Sequence, residues 1–275
     1  MKSWFEEQPR TLIGVVHLQP LPGSPRYEGA FGPVVAAAVR DARAYERGGA
    51  HAVCLENFGD VPFTKGTVAP ETVAALAVAG QAVRAAIKLP IGFNVLRNDA
   101  RAALALCAVC GGRFIRVNVH TGAMVTDQGL IEGQAYETLR CRGQLCPAVL
   151  IFADVHVKHA TPLGGLPIAI AARDTLYRGL ADALIVSGTG TGVAANLTDL
   201  QTLRAACPSA KILVGSGVRI ENVQDYLPLA DGFIVGTSLK TGGQIANAVA
   251  VRRVAALAAA MRGARHLTNR GAGHD

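Results

Sequence analysis

Short apolar runs alternate along this chain with longer amphipathic segments. The runs fall at residues 12–18, 52–56, 91–96, 114–119, 150–155, 183–186, 212–214 and 232–235. Each is of strand length and bounded by turn-forming or polar residues. Between them the apolar period lengthens to that of a helix, over about 33–47, 70–87, from an Asn98 cap to Gly111-Gly112, 134–142, somewhere within 164–179, 197–206, and 244–261, with one more short segment between the last two runs. Pro33 suits a first helical turn and Gly48-Gly49 a stop. Strand, helix, strand in so few residues predicts parallel crossovers. Eight such units in sequence predict an α/β fold, a single (β/α)8 TIM barrel, with a doubly wound sheet as the alternative. Loop asymmetry favours the barrel. Connections after strands one, two, four and five are long and rich in Gly, Pro, Thr and His, whereas helix-to-strand connections are short. The expected division is an arm over residues 1–10, a barrel over 11–262, and a patternless basic tail over 263–275, expected to be disordered.

The last two strands break into small residues, Gly215-Ser216-Gly217 and Gly236-Thr237-Ser238. Glycine and hydroxyl residues just past neighbouring parallel strands let backbone N–H groups close on an oxyanion without a Cβ in the way. Two such ends in tandem predict a phosphate cup of the ribulose-phosphate-binding-barrel kind. The stretch from Ser187 through Thr189 to Gly192 is a third glycine-rich end, suited to a second anion, a ribose or a lid.

Period-two alternation then selects candidate chemistry. Arg116, Asn118 and His120 share one face of strand four, and Asp154, His156 and Lys158 one face of strand five, with valines opposite. A barrel's helix-facing side is apolar, so these polar sets are expected to face the axis. His17, Glu56, Asn57, Asn94, Ser187 and Thr189 stand at other strand ends, and His159 on the loop beyond strand five. Buried together, such groups cost several kcal/mol unless they pair or hold a ligand. Asp154 and His156 are read as a base with its orienting partner, or as an acid–base pair. Glu56, Asp154 and His17 are also a possible ligand set for a divalent metal. Lys158 could be an amine nucleophile, an anion contact or a solvated loop lysine. Arg116 could contact substrate or neutralise Glu56 or Asp154. Asn57, Asn94, Asn118, His120 and His159 are expected substrate contacts.

Composition narrows the partners. With half its residues hydrophobic and 17% charged, the chain can bury a large single core. A net charge of +7 favours anionic metabolites, but no basic run is interleaved with aromatics, so nucleic acid is not expected. No uncharged apolar run reaches the roughly 18 residues needed to span a bilayer, and the acidic N-terminus is no signal peptide. A soluble, cytoplasmic protein is expected, with a homo-oligomer as a generic possibility. Six cysteines in so long a chain do not make a disulfide framework. Cys107, Cys110, Cys141 and Cys146 could in principle hold zinc, but Cys107 and Cys110 lie in an apolar helical stripe and read as core thiols.

Four stretches, LIGVVHLQPLPGSP, GGAHAVCLENFGDVPF, FADVHVKHATPLG and ADGFIVGTSLK, together resemble the BtpA/SgcQ family from about Thr11 to Met261. That resemblance implies a phosphate-binding barrel without a settled reaction. One cyanobacterial branch is linked to photosystem I accumulation, and other relatives stand beside sugar-uptake genes. Residues matched are His17, Glu56, Asn57, Asp60, Asn94, Asn118, Asp154, His156, Lys158 and His159. The sequence therefore leads to an enzyme acting on a small phosphorylated sugar or nucleoside-type metabolite, a lyase, isomerase or glycosyl hydrolase. A non-catalytic biogenesis factor for a membrane complex and a metal-dependent hydrolase are the alternatives.

Overall fold

The computed structural model describes residues 4–6 and 10–263. The expected tail at 263–275 therefore lies almost wholly outside the described residues. Eight parallel strands close into a barrel: β1 (Thr11–His17), β2 (Ala52–Glu56), β3 (Ile91–Asn94), β4 (Phe114–Val117), β7 (Leu150–Val155), β9 (Ala183–Val186), β10 (Ile212–Val214) and β11 (Gly232–Val235). The order around it is β1-β11-β10-β9-β7-β4-β3-β2, so every strand neighbours the next barrel strand in the chain and β11 meets β1. Helices α1 (Phe31–Arg47), α2 (Pro70–Ala86), α3 (Ala100–Cys110), α4 (Ala135–Leu145), α5 (Ile168–Arg173), α6 (Leu197–Ala206) and α7 (Val223–Tyr226) lie in the crossovers, and α8 (Val251–Gly263) follows the last strand. The doubly wound alternative is excluded by closure.

Two apolar layers hold this arrangement. Outward-facing strand residues such as Leu12, Val53, Ile115, Ile151 and Leu184 pack under the helices. Inward-facing Ile13, Val15, Cys54, Phe114, Phe152, Ile185, Leu213 and Ile234 fill the barrel. The lower end is stopped by the N-terminal arm. The Phe5 ring lies 4.8 Å from that of Phe152, and Trp4 lies 5.6 Å from Phe114.

Several boundaries depart from the sequence reading. Strands β3 and β4 end two residues early because Asn98 brackets Val119, accepting from its N–H at 2.8 Å and donating to its carbonyl at 2.9 Å. Asn98 is thus a loop clasp, and Asp99 is the cap of α3, accepting from Ala102 N–H at 2.9 Å. Helix α8 starts at Val251 rather than 244. Residues before it form turns pinned where buried Lys240 donates to Asp41 on α1 and to the carbonyl of Asn247. The loops after β4 and β7 also build a small antiparallel sheet of β5 (Ala123–Thr126), β6 (Gly129–Glu132) and β8 (Ala160–Pro162), which the sequence reading did not anticipate. The cysteines do not assemble a zinc site: the thiols of Cys107, Cys110 and Cys146 lie against the separate carbonyls of Phe114, Ala77 and Leu104.

Candidate active site at the barrel mouth

Beyond the carboxyl ends of the strands lie two adjoining cavities. The first, of about 300 Å³, is the cup: Gly215, Ser216, Gly217, Gly236, Thr237 and Ser238 line it, with Thr191 and Gly192 from the loop after β9. The backbone N–H groups of Gly217, Val218 and Ser238 have no acceptor among the described residues. Ser216 and Ser238 do not offer their hydroxyls to a ligand as expected; both are spent bracing the loops. Ser216 Oγ accepts from Gly188 N–H and donates to the Val193 carbonyl, while Ser238 Oγ donates to the Val218 carbonyl at 2.6 Å. The cup is therefore a backbone device, and Thr237 is its hydroxyl. Its glycines are required sterically. A Cβ on Gly217 (φ 66°) would lie 2.3 Å from the Val193 and Ala194 backbone, and one on Gly236 would lie 2.4 Å from the His17 ring. Arg219 and Arg253 stand at the rim, tethered to the carbonyls of Gly192 and Ser238.

The second cavity, of about 330 Å³, has a floor of Glu56, Asn94 and Asn118, apolar walls from Phe58, Val61 and Phe63, and a far rim of Arg97, Asp127 and His159. Glu56, Lys158 and Thr191 line both cavities and so mark their junction. Glu56 is buried, with His17 Nε2 3.9 Å from its Oε1. Burial, reinforced by the charges of Lys240, Lys158 and Arg116, holds His17 well below its ordinary pKa, so the ring is neutral. Burial also lowers the Lys158 ammonium, with Glu56 acting in the opposite direction. A carboxylate and a partly desolvated amine thus meet where the two chambers join.

Strand four behaves as its alternation predicts through Arg116 and Asn118. Arg116 grips Asp154 with Nε and Nη2 at 2.8 and 2.9 Å, Asn118 Nδ2 donates at 3.2 Å, and Ser187 Oγ donates at 2.7 Å. Asp154 is therefore saturated. It is the keystone of the floor, not a free base, and the Ser187 hydroxyl is spent on it.

Four further expectations are corrected. His156 does not line the cup or the second chamber: β7 ends at Val155, His156 has a φ of 53°, and it lines a further pocket with Leu163, Leu166 and Thr175, which Asp154 and Asn118 also border. His120 lies past the end of β4, buried, its Nε2 against the Gly179 carbonyl. Asn57 receives Leu96 N–H at 2.7 Å and donates to Asp60, whose other oxygen receives Leu21 N–H; this knits three loops together and leaves no side-chain group for a ligand. Thr189 is exposed, and its neighbour Thr191 is the residue at the cavities. His159 does reach the rim, where its Nε2 accepts from Thr191 N–H at 3.2 Å. The metal set is corrected as well. Asp154 is turned to Arg116, and among the described residues no three His, Cys, Asp or Glu side chains converge to hold an ion.

Some of these residues were not legible. Arg253 reaches the cup from α8, beyond the last barrel strand, and Arg97, Phe63 and Asp127 come from loops whose path the sequence does not specify. The only available signal for β5–β6 was the turn Asp127-Gln128-Gly129 between two alternating stretches.

Against this geometry, a family model described as the BtpA family matches residues 8–263. The chain belongs to the BtpA family. The photosystem I biogenesis protein BtpA of Synechocystis is 46% identical over 91% of this chain and 87% of its own length. The putative sgc region protein SgcQ of Escherichia coli is 34% identical over 92% and 95%. An uncharacterized protein of Pyrococcus furiosus is 47% identical over 90% and 93%. Among solved structures, phosphoribosyl anthranilate isomerase from Thermus thermophilus superposes with a TM-score of 0.55 at 14% identity, covering 91% of this chain and 98% of that one. Tryptophan synthase from M. tuberculosis gives 0.59 at 17%, covering 93% of both. At such identities these likenesses establish the TIM-barrel fold alone. Within this BtpA-family chain, no helix among the described residues is long and apolar enough to cross a membrane.

Proposed function

We propose that this BtpA-family chain is an enzyme acting on a small phosphorylated metabolite of sugar or nucleoside type. The observation that carries the reading is the junction: a backbone-lined cup opens directly onto a second chamber, and Glu56 and Lys158 stand at the boundary. A phosphate in the cup would fix one end of the substrate, so that its reacting carbon lies between a carboxylate and an amine. Glu56 is assigned proton transfer, and Lys158 the stabilisation of developing negative charge or donation of a proton. His17, neutral and packed against Gly236, shapes the wall between cup and carboxylate. Isomerisation, carbon–carbon cleavage and glycosyl-bond cleavage all use this layout.

The cyanobacterial relative's name speaks of photosystem I biogenesis. An assembly role would give a charged, phosphate-sized cavity no task. The test is thermal denaturation with inorganic phosphate, sugar phosphates and nucleoside monophosphates, followed by turnover of whichever ligand stabilises. Glu56→Gln should retain ligand binding while losing on the order of 100-fold or more in rate. Absence of stabilisation by any phosphorylated ligand overturns the proposal.

A further inference from the structure

The floor of the second chamber has a fixed hydrogen-bonding polarity, and its origin is Asp154. Paired with Arg116, this carboxylate can only accept hydrogen bonds. The Asn118 amide must therefore turn its Nδ2 toward Asp154, which leaves its Oδ1 facing Asn94. Asn94 must in turn present Nδ2, which donates to Asn118 Oδ1 at 3.0 Å and to the Arg116 carbonyl at 3.1 Å. Neither amide can flip alone: Asn94 would set its Oδ1 against two acceptors, and Asn118 would set its Oδ1 against the Asp154 carboxylate. The last member of the relay, Asn94 Oδ1, is consequently an acceptor, and it is buried without a partner. A second unpartnered buried atom, on a residue that also lines this chamber, has the opposite sense: Arg97 Nε, a donor, on a side chain whose Nη2 is held by the Lys158 carbonyl.

One unmatched acceptor on Asn94 and one unmatched donor on Arg97, on residues that line the same chamber as Phe58, Val61 and Phe63, point to the ligand. A polyol chain would leave the aromatic walls unmatched, and a hydrocarbon would leave both polar atoms buried and unpaired, at a cost of about 1–3 kcal/mol each. A planar heterocycle carrying an N–H beside a ring or exocyclic acceptor satisfies both and stacks on the phenylalanines. We infer that the second chamber is a base-binding slot, so that the ligand is a nucleotide-type monophosphate whose phosphate lies in the cup and whose heterocycle lies between Phe63 and the Asn94 floor. The inference rests on the phosphate reading above and narrows it from sugar phosphates to ring-bearing ones. The sugar of such a ligand crosses the junction beside Glu56 and Lys158, because these residues line both chambers.

Calorimetric titration with inorganic phosphate, ribose 5-phosphate and the monophosphates of adenosine, guanosine, cytidine, uridine and nicotinamide riboside tests it. At least one nucleotide should bind roughly tenfold or more tightly than ribose 5-phosphate, the increment that one stacked base supplies. Phe63→Ala, at a half-exposed loop position, should abolish that increment and leave inorganic phosphate binding unchanged. Ribose 5-phosphate binding as tightly as every nucleotide, or a nucleotide preference that survives Phe63→Ala, overturns the slot while leaving the phosphate reading intact. Failure of inorganic phosphate, ribose 5-phosphate and nucleotides alike to bind overturns both.

Discussion

Asp154→Asn separates a structural keystone from a catalytic base. In the folded chain the carboxylate accepts two hydrogen bonds from Arg116, one from Ser187 and one from Asn118, and the pair's side chains are 2% and 0% exposed. The amide has nearly the same shape but no charge, and its NH2 faces at least one of those donors. Arg116 remains protonated, since guanidinium does not titrate in the accessible range. The variant thus leaves a buried cation uncompensated, which costs about 3–5 kcal/mol. Urea denaturation followed by circular dichroism measures it directly. Pairing Asp154→Asn with Arg116→Met removes the stranded charge, so a double-mutant cycle should show a coupling of at least about 2 kcal/mol. A loss below about 1 kcal/mol for Asp154→Asn, or additivity in the cycle, would refute the keystone assignment and return Asp154 to the list of free bases.

Three other perturbations have definite outcomes. Gly217→Ala forces an L-residue to φ 66° with its Cβ 2.3 Å from backbone atoms, so stability should fall by at least about 1–2 kcal/mol and the phosphate-induced thermal shift should vanish; an unchanged shift sinks the cup. Burial lowers the pKa of His17, His51, His120, His156 and His159. Their neutral forms are favoured on folding, so the stability they add is complete above the unfolded value of about 6.5 and is lost as pH falls through the lower folded values. Melting temperature should drop between pH 7.5 and 5.5, and His17→Gln should flatten the profile; a flat wild-type profile contradicts the assignment. Phe5→Ala removes a 3% exposed ring from the barrel's lower end and should cost about 3–5 kcal/mol in the same urea assay, whereas a loss under about 1 kcal/mol shows that the arm is dispensable.

The barrel was legible because its signals are local and repeated: apolar runs of strand length, and helical segments of matching count. The cup was legible for the same reason, since Gly215–Gly217 and Gly236–Ser238 follow their strands directly. What failed was extrapolation past a strand's last residue. Period two carried Arg116, and Asn118 one residue past β4, to the axis, but His120 and His156 lie where the backbone has left the extended region, with a φ of 53° at His156. Asn57 and Ser187 sit where expected, yet their partners, Leu96 and Asp154, come from other strands or their loops, so residue type alone could not distinguish bracing from binding. The aromatic wall was missed because Phe58, Val61 and Phe63 belong to a loop with no period to read.

The stopper formed by Trp4 and Phe5 gives the molecule the topology of a bottle. A ligand of the mouth enters and leaves at the same end, so under the proposed reaction reactant and product would compete for a single passage, and a strongly retained phosphate would throttle the cycle from the exit side. Changes to the glycine collar should then trade affinity against release, and turnover should peak at an intermediate grip.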